Sequence, residues 1–261
     1  MMDLSRFSWR FLQVWRRNLI LYRRIWKVNF LVPLLEPLFY IAAFGIGFRY
    51  LVGPVKYGGA TLSYTQFIAP ALIATAVMST AFFETSYASF VRMYYQKTFD
   101  GMLATPLSLE EIILAEIVWS ASKAVGAAVI MVAVLGALGF ITFPLGFLIV
   151  ILALLGGLAF GAIGMFFTGI VASIDMFNLP VFLFITPMFL FSGTFFPVSA
   201  LPHWGQTVSL VFPLYHLVAL TRDCAMGVTE GSPALNIAYL LVFFVVFTGL
   251  SLSFMRRRLI R

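Results

Sequence analysis

The sequence predicts an all-α integral membrane protein with six transmembrane helices. Three observations predict it. Of the 261 residues, 62% are hydrophobic and only 10% charged, where a soluble domain carries about 25% charged residues. Apolar runs of about 20 residues recur, the length a helix needs to cross a bilayer. The ten-residue alternation of an outer-membrane barrel does not occur in the sequence. One cysteine, Cys224, excludes an intrachain disulfide. The net charge of +7 lies beside the apolar runs, so anionic lipid headgroups and not nucleic acid are its expected partner.

The first element is 5–27. Its basic residues interleave with aromatics instead of preceding a short apolar core, which excludes a signal peptide. At about 100° per residue, Arg6, Arg10, Arg16, Arg17, Arg23, Arg24 and Lys27 fill one side. Phe7, Phe11, Val14, Trp15, Tyr22, Ile25 and Trp26 fill the other, with Trp9 and Ile20 as exceptions. This predicts an amphipathic interfacial helix on an anionic leaflet. A six-span bundle over 28–254 follows, closed by a basic tail at 255–261, all in a single domain 1–261.

Span 1 covers 28–48 and contains Glu36, whose partner the sequence does not name. An exposed segment, 49–63, carries Gly53-Pro54 and Gly58-Gly59 as turn signals. Span 2 covers 64–90. Span 3 covers 112–140 and span 4 covers 145–172, where Gly157, Gly161 and Gly164 favour close helix approach. Span 5, at 177–196, contains Pro180, Pro187 and Gly193, which predict a kink. The stretch 197–233, punctuated by Pro202, Pro213 and Gly227, fits a re-entrant pair of short outer helices better than a seventh span. Span 6 covers 234–254.

A polar island, 91–111, interrupts the apolar text. Arg92, Lys97, Asp100, Glu110 and Glu111 would cost roughly 2.5–3.5 kcal/mol each at a bilayer centre, so the segment is expected in water or at the membrane surface. Tyr94, Tyr95, Thr98, Met102 and Leu103 recur at helical spacing, and Pro106 ends that short helix. Ser108 and Glu111 form a capping-box signature for the next one. A short helix between two spans suits docking of a soluble partner, although a plain solvated connection has the same composition.

With both termini cytoplasmic, thirteen Lys and Arg residues fall inside and three, Arg49, Lys56 and Arg222, fall outside. That asymmetry orients the chain. Three ionisable groups remain within spans: Glu84, Glu116 and Lys123. Helix rise places them about 10, 8 and 18 Å deep from the inner boundary, and an intramembrane polar cluster linking spans 2 and 3 is expected, structural or coupling in role.

Nothing in the sequence supplies a catalytic set. His203 and His216 lack Cys, Asp or Glu at ligand spacing, so no metal is expected. None of the four lysines follows the phosphate-loop pattern, so the chain is expected to be no enzyme. A secondary transporter would show inverted repeats, and none is found. An integral membrane transferase would need an acid/base pair that Asp100 and Asp175 alone do not make.

Longer stretches resemble the membrane subunits of type-2 ABC transporters, and most of all the nodulation-protein-J family. They are Phe83-Glu84-Thr85-x-Tyr87-Ala88-x-Phe90-x-Arg92-Met93, Glu116-x-x-Trp119-x-Ala121-x-Lys123-Ala124, the 186–202 segment from Thr186-Pro187-Met188 to Leu201-Pro202, and Arg256-Arg257-Arg258-Leu259. The resemblance implies a bacterial inner-membrane permease that works as a dimer with a separate ABC ATPase, which binds the ATP and Mg. It implies an ATPase-coupling helix at about 95–103, with Tyr95, Gln96, Lys97, Thr98, Phe99, Asp100, Met102 and Leu103. It also implies an outer gate at about 198–227, flanked or formed by Phe196, Pro197, Leu201, Pro202 and Pro213. Cargo in that family and its relatives ranges over lipo-chitooligosaccharides, polysaccharides, lipids and drugs. The expected cargo here is an amphiphile, a lipid-linked oligo- or polysaccharide or another lipid or drug-like molecule.

Overall fold

The structure is a computed structural model. It describes residues 9–24 and 53–259, with 26, 27, 31, 35, 38–40, 42, 43 and 47 between them. Most of the expected first span, Glu36 included, lies outside the described residues, as do Arg6, Phe7, Ile25, Arg49 and Arg261.

In chain order the elements are α1 (Phe11–Arg24), a hairpin of β1 (Val55–Tyr57) and β2 (Ala60–Leu62), and α2 (Tyr64–Tyr95). There follow α3 (Thr98–Leu103), α4 (Leu109–Ala137), α5 (Leu145–Ile170), α6 (Ile174–Phe191), α7 (His203–Val211), α8 (Pro213–Met226) and α9 (Pro233–Leu259). Among the described residues, α2, α4, α5, α6 and α9 are long and apolar enough to cross a membrane. They correspond to expected spans 2 to 6.

Local chemistry sets several of their limits. Ser108 and Glu111 close the expected capping box on α4: the Ser108 amide donates to Glu111 Oε2 at 2.8 Å and the Glu111 amide to Ser108 Oγ at 3.2 Å. Ser63 and Gln66 cap α2 in the same way. The expected kink in α6 is a π-turn, Val181–Ile185, between Pro180 and Pro187. The segment read as exposed is instead a hairpin, closed by Gly58 and Gly59 at φ 52° and 81°, the left-handed pair a two-residue turn requires. Its Val55, Tyr57 and Leu62 are buried.

α2 outruns its expected end at residue 90, because π-turns at Glu84–Ala88 and Val91–Tyr95 carry the helix on to Tyr95. A π-turn frees backbone carbonyls, and here hydroxyls take them up. Ser86 donates to the Phe82 carbonyl at 2.6 Å, and Thr168 of α5 donates to that of Thr85 at 2.7 Å. α9 likewise continues past residue 254 to Leu259, so the basic tail begins as helix. Arg258 donates to the Thr168 carbonyl at 2.7 Å, satisfying an acceptor at the end of α5 that lacks an intrahelical partner.

α5 is the element the others close around. A Cβ on Gly157 would meet Ala121 Cα at 2.7 Å, one on Gly161 would meet Ser120 Oγ at 2.3 Å, and one on Gly164 would meet Thr85 Oγ1 at 2.3 Å and the Phe82 carbonyl at 2.6 Å. The three glycines thus bring α4 and α2 to backbone distance, as the small-residue spacing predicts. Gly164→Ala is expected to lower stability by about 1–3 kcal/mol through overpacking. Gly126→Ala, where a Cβ meets nothing within 4 Å, should be neutral or gain up to about 1 kcal/mol of helix propensity. Thermal unfolding of the two variants in detergent checks the pair; equal behaviour would remove the seam's role.

Candidate functional site

The end of the bundle where α2 leaves and α4 begins carries most of the expected site residues. Lys97 adopts a left-handed φ of 52°, unusual for a residue with a side chain, and turns the chain sharply between α2 and α3. The short helix therefore starts at Thr98, not at residue 95. Phe99 and Met102, three residues apart, are buried and root α3 in a core shared with Met93, Leu109 and Ile113. Tyr95, Gln96, Lys97 and Asp100 are exposed, and Thr98 and Leu103 half-buried. Of the eight expected coupling residues, two are anchors and the rest form a rim.

Directly behind this knob lies the polar cluster. Lys123 Nζ is 2.8 Å from Glu84 Oε2, and the Trp119 indole donates to Glu84 Oε1 at 3.0 Å. Glu116 is fully buried and does not pair with Lys123. Its partner is Arg92, whose Nε donates to Glu116 Oε2 at 3.1 Å and whose Nη2 forms an ion pair with the same oxygen. Arg92 Nη1 also reaches Glu84 Oε1 at 2.9 Å. Arg92, expected in water or at the membrane surface, turns its side chain into the bundle, where it is 14% exposed. Glu110 and Glu111 are also buried, Glu110 in an ion pair with Arg256 and Glu111 in the α4 cap.

α1 joins the same network. The Asn18 amide donates to Glu116 Oε1 at 3.1 Å, and Arg17 donates to Asn18 Oδ1 at 3.2 Å. The Trp15 indole donates to Ser122 Oγ at 3.0 Å, and the Tyr22 ring meets Trp119 edge-on. The apolar side of α1 that the sequence assigns to the leaflet thus faces α4 through Val14, Trp15 and Tyr22. Leu12, Ile20, Leu21 and Trp26 remain exposed. Arg10 Nη1 donates to the Pro106 carbonyl at 2.8 Å and ties α1 to the exit of α3. Sequence reasoning missed Arg92, Asn18 and Trp119 as members of the cluster; Trp119 lies in a motif it quoted for other reasons.

The opposite end holds the expected gate. At 14 residues α8 is about 21 Å long, too short for a bilayer core of about 30 Å, which fits a re-entrant pair. Two side chains satisfy the carbonyls where α7 ends. His216 Nε2 lies 2.9 Å from that of Leu210, and the Tyr239 hydroxyl donates to that of Val211 at 2.5 Å. Pro213, the first residue of α8, is buried; Pro197 and Leu201 are half-buried; Phe196 and Pro202 are exposed. Arg222, counted among the outer charges, is 4% exposed. It stacks 3.8 Å from the Phe67 ring centroid and donates to the Phe67 carbonyl at 3.2 Å and the Gly193 carbonyl at 2.9 Å. Beside it the Tyr57 hydroxyl donates to Asp223 Oδ1 at 2.8 Å. Burial pushes the Tyr57 phenol well above its ordinary value, so it remains a donor.

Removing one member of a buried ion pair costs roughly 3–5 kcal/mol. Arg92→Ala and Glu116→Ala should each destabilise on that scale, and the double variant by less than their sum, with a coupling of about 0.5–3 kcal/mol. A double-mutant cycle on thermal unfolding in nanodiscs measures it, and strict additivity would dissolve the network.

Comparison with known proteins bears on both ends. Residues 10–226 match the model of the ABC-2 type transporter family. The chain is 38% identical to Nodulation protein J of Rhizobium leguminosarum bv. trifolii and 35% identical to Nodulation protein J of Sinorhizobium fredii. Each match covers 97% of this chain and 95% of the relative. It is also 25% identical to the inner membrane transport permease YadH of Escherichia coli, over 94% of this chain and 93% of that one. A membrane chain with a short helix between two spans and a pair of short helices before the last, matched along nearly all its length, belongs to the ABC-2 type transporter family.

Proposed function

We propose that this chain is the membrane-spanning half of an ATP-driven exporter in the bacterial inner membrane, dimerising with a second copy and driven by a separate ABC ATPase. Membership of the family implies such an ATPase partner. The observation that carries the reading is the α3 knob. Its buried Phe99 and Met102 fix it to the bundle, and its exposed Gln96, Lys97 and Asp100 are left for a soluble surface. A recess of about 290 Å³ lined by Arg10, Gln13, Thr105, Pro106 and Leu107 lies alongside it. Force applied there meets a charge network that joins α1, α2 and α4, so the three would move together.

In this reading both termini are cytoplasmic, and α1 sits at the lipid–water boundary with Arg16, Arg23 and Arg24 turned outward. The cargo is a lipid-linked oligo- or polysaccharide, passed between the two copies and released past α7 and α8. The nodulation relatives support a saccharide, and the permease relative supports transport at the inner membrane. Another lipid or a drug-like amphiphile is the second reading, favoured by the apolar surface that α6 and α9 leave open through Phe182, Leu183, Val242 and Val245.

Charge reversal of the rim, Lys97→Glu with Asp100→Lys, is expected to cut cargo-stimulated ATP hydrolysis by the purified complex about tenfold or more. Thermal stability should hardly change, because an exposed pair contributes about 0.2–1 kcal/mol. An unaltered hydrolysis rate would refute the docking role. With Cys224 replaced by Ser, labelling of a Lys97→Cys variant by an impermeant maleimide from the periplasmic side would refute the topology.

A further inference from the structure

At the end of the bundle away from α3, a cavity of about 260 Å³ opens between the β1–β2 hairpin, the end of α6 and helices α7 and α8. Tyr57, Ser192, Gln206, Tyr215, Arg222 and Glu230 supply its polar wall, and Leu210, Val218 and Ala219 its apolar one. Part of it adjoins the expected gate, through Pro197 and Val198.

Four features restrict what it can hold. The first is size: the volume is just under the roughly 300–1,000 Å³ of sites for drug-sized molecules, which leaves room for one small ring. The second is charge. Arg222 lies in the field of two carboxylates, Glu230 and Asp223, the second held behind Tyr57, so a free phosphate finds no excess of positive charge. The third is the supply of hydrogen-bonding groups. The guanidinium donates, the Glu230 carboxylate accepts and the Tyr215 hydroxyl does both, while Tyr57, Ser192 and Gln206, whose protons go to Asp223, the Met188 carbonyl and the Leu201 carbonyl, are left to accept, a set rich in acceptors for a molecule bearing several hydroxyls. The fourth is rigidity. Arg222 is pinned to two carbonyls and stacked on Phe67, and Ser192 is tied to the Met188 carbonyl, so the wall is set before a ligand arrives.

We infer that this cavity is a binding site for a single neutral sugar ring, presented at the outer mouth of the permease. Its chemistry stands without the saccharide cargo proposed above; only its place in an export path, as the stop where a leading or terminal sugar rests on release, depends on that reading. The half-buried Tyr215 ring on the cavity wall would meet the C–H face of the sugar, while Glu230 and Gln206, nearer the rim, take its hydroxyls.

The test is saturation-transfer NMR on the full chain in lipid nanodiscs with glucose, N-acetylglucosamine, glycerol and inorganic phosphate as probes. A sugar signal saturating at about 1–10 mM is expected, corresponding to the weak affinity of a single ring. Glycerol and phosphate should not compete. Glu230→Gln and Gln206→Ala should each weaken it about tenfold, and Ser199→Trp, which fills the exposed rim, should abolish it. If Ser199→Trp fails to fold, Gln206→Ala at the half-buried rim carries the test alone. No sugar signal at about 100 mM, a signal indifferent to all three variants, or phosphate bound in its place would each overturn the inference. Sugar binding here with a cargo that proves to be no saccharide would sink the cargo reading and leave the site standing. A saccharide cargo with no sugar bound here would do the reverse.

Discussion

The guanidinium of Arg92, held between Glu84 and Glu116, is the interaction on which the α1–α3 end of the molecule depends. Four charged groups meet there, two acidic and two basic once Lys123 is included. Each alone would be expensive to bury, and each is tolerable only because its partner and its hydrogen bonds are present. The consequence is geometric. Glu84 and Arg92 belong to α2, Glu116 and Lys123 to α4, and Asn18 brings in α1, so the three helices cannot shift against one another without exposing a charge to an apolar surrounding.

The π-turn at Glu84–Ala88 makes this arrangement possible. Eight residues separate Glu84 from Arg92, and at about 100° each a straight α-helix would leave them roughly 80° apart in azimuth. A π-turn absorbs about one extra residue, so Arg92 comes to lie nearly above Glu84 and turns inward. Without the turn its guanidinium would lean toward the outer face of α2. The hydroxyls of Ser86, Ser89 and Thr168 compensate the backbone that the wider turns disturb.

That same turn explains what could be read from the sequence and what could not. Elements governed by local chemistry were legible: the Ser108–Glu111 cap, the close approach at Gly157, Gly161 and Gly164, the broken α6, and the short helix before Pro106. Glu84 with Lys123 was legible too, since the two lie only about 8 Å apart in depth and a lysine side chain can reach down to a carboxylate. Arg92 was not, because the position of its side chain depends on a helix distortion that no periodicity encodes, and a charge beside a membrane boundary is ordinarily wet. The burial of Arg222 was not legible for a related reason. It depends on carbonyls from Phe67 and Gly193, distant in sequence, and on the Phe67 ring. The apolar stripe of α1 was visible, but sequence alone cannot distinguish a lipid surface from the flank of α4.

The two buried arginines meet α2 near its two ends, Arg92 joining it to α4 and Arg222 joining α8 to it, and that fixes the mechanical character of the protein. α2 runs for 32 residues, 78% of its most apolar window buried, whereas α6 and α9 bury only 22% and 17% of theirs. The glycine seam of α5 locks α2 and α4 into a block, with α6 and α9 presenting broad faces outward. In the proposed mechanism a displacement of α3 cannot be absorbed locally, since Phe99 and Met102 root it beside the Arg92 network and Lys97 leaves no slack in the connection. It passes along α2 as a rigid-body movement and arrives where Arg222 joins Phe67 to the turn at Gly193. Helices α7 and α8 hang from that junction, so in this mechanism a continuous packed path runs from α3 at one end of the bundle to α7 and α8 at the other.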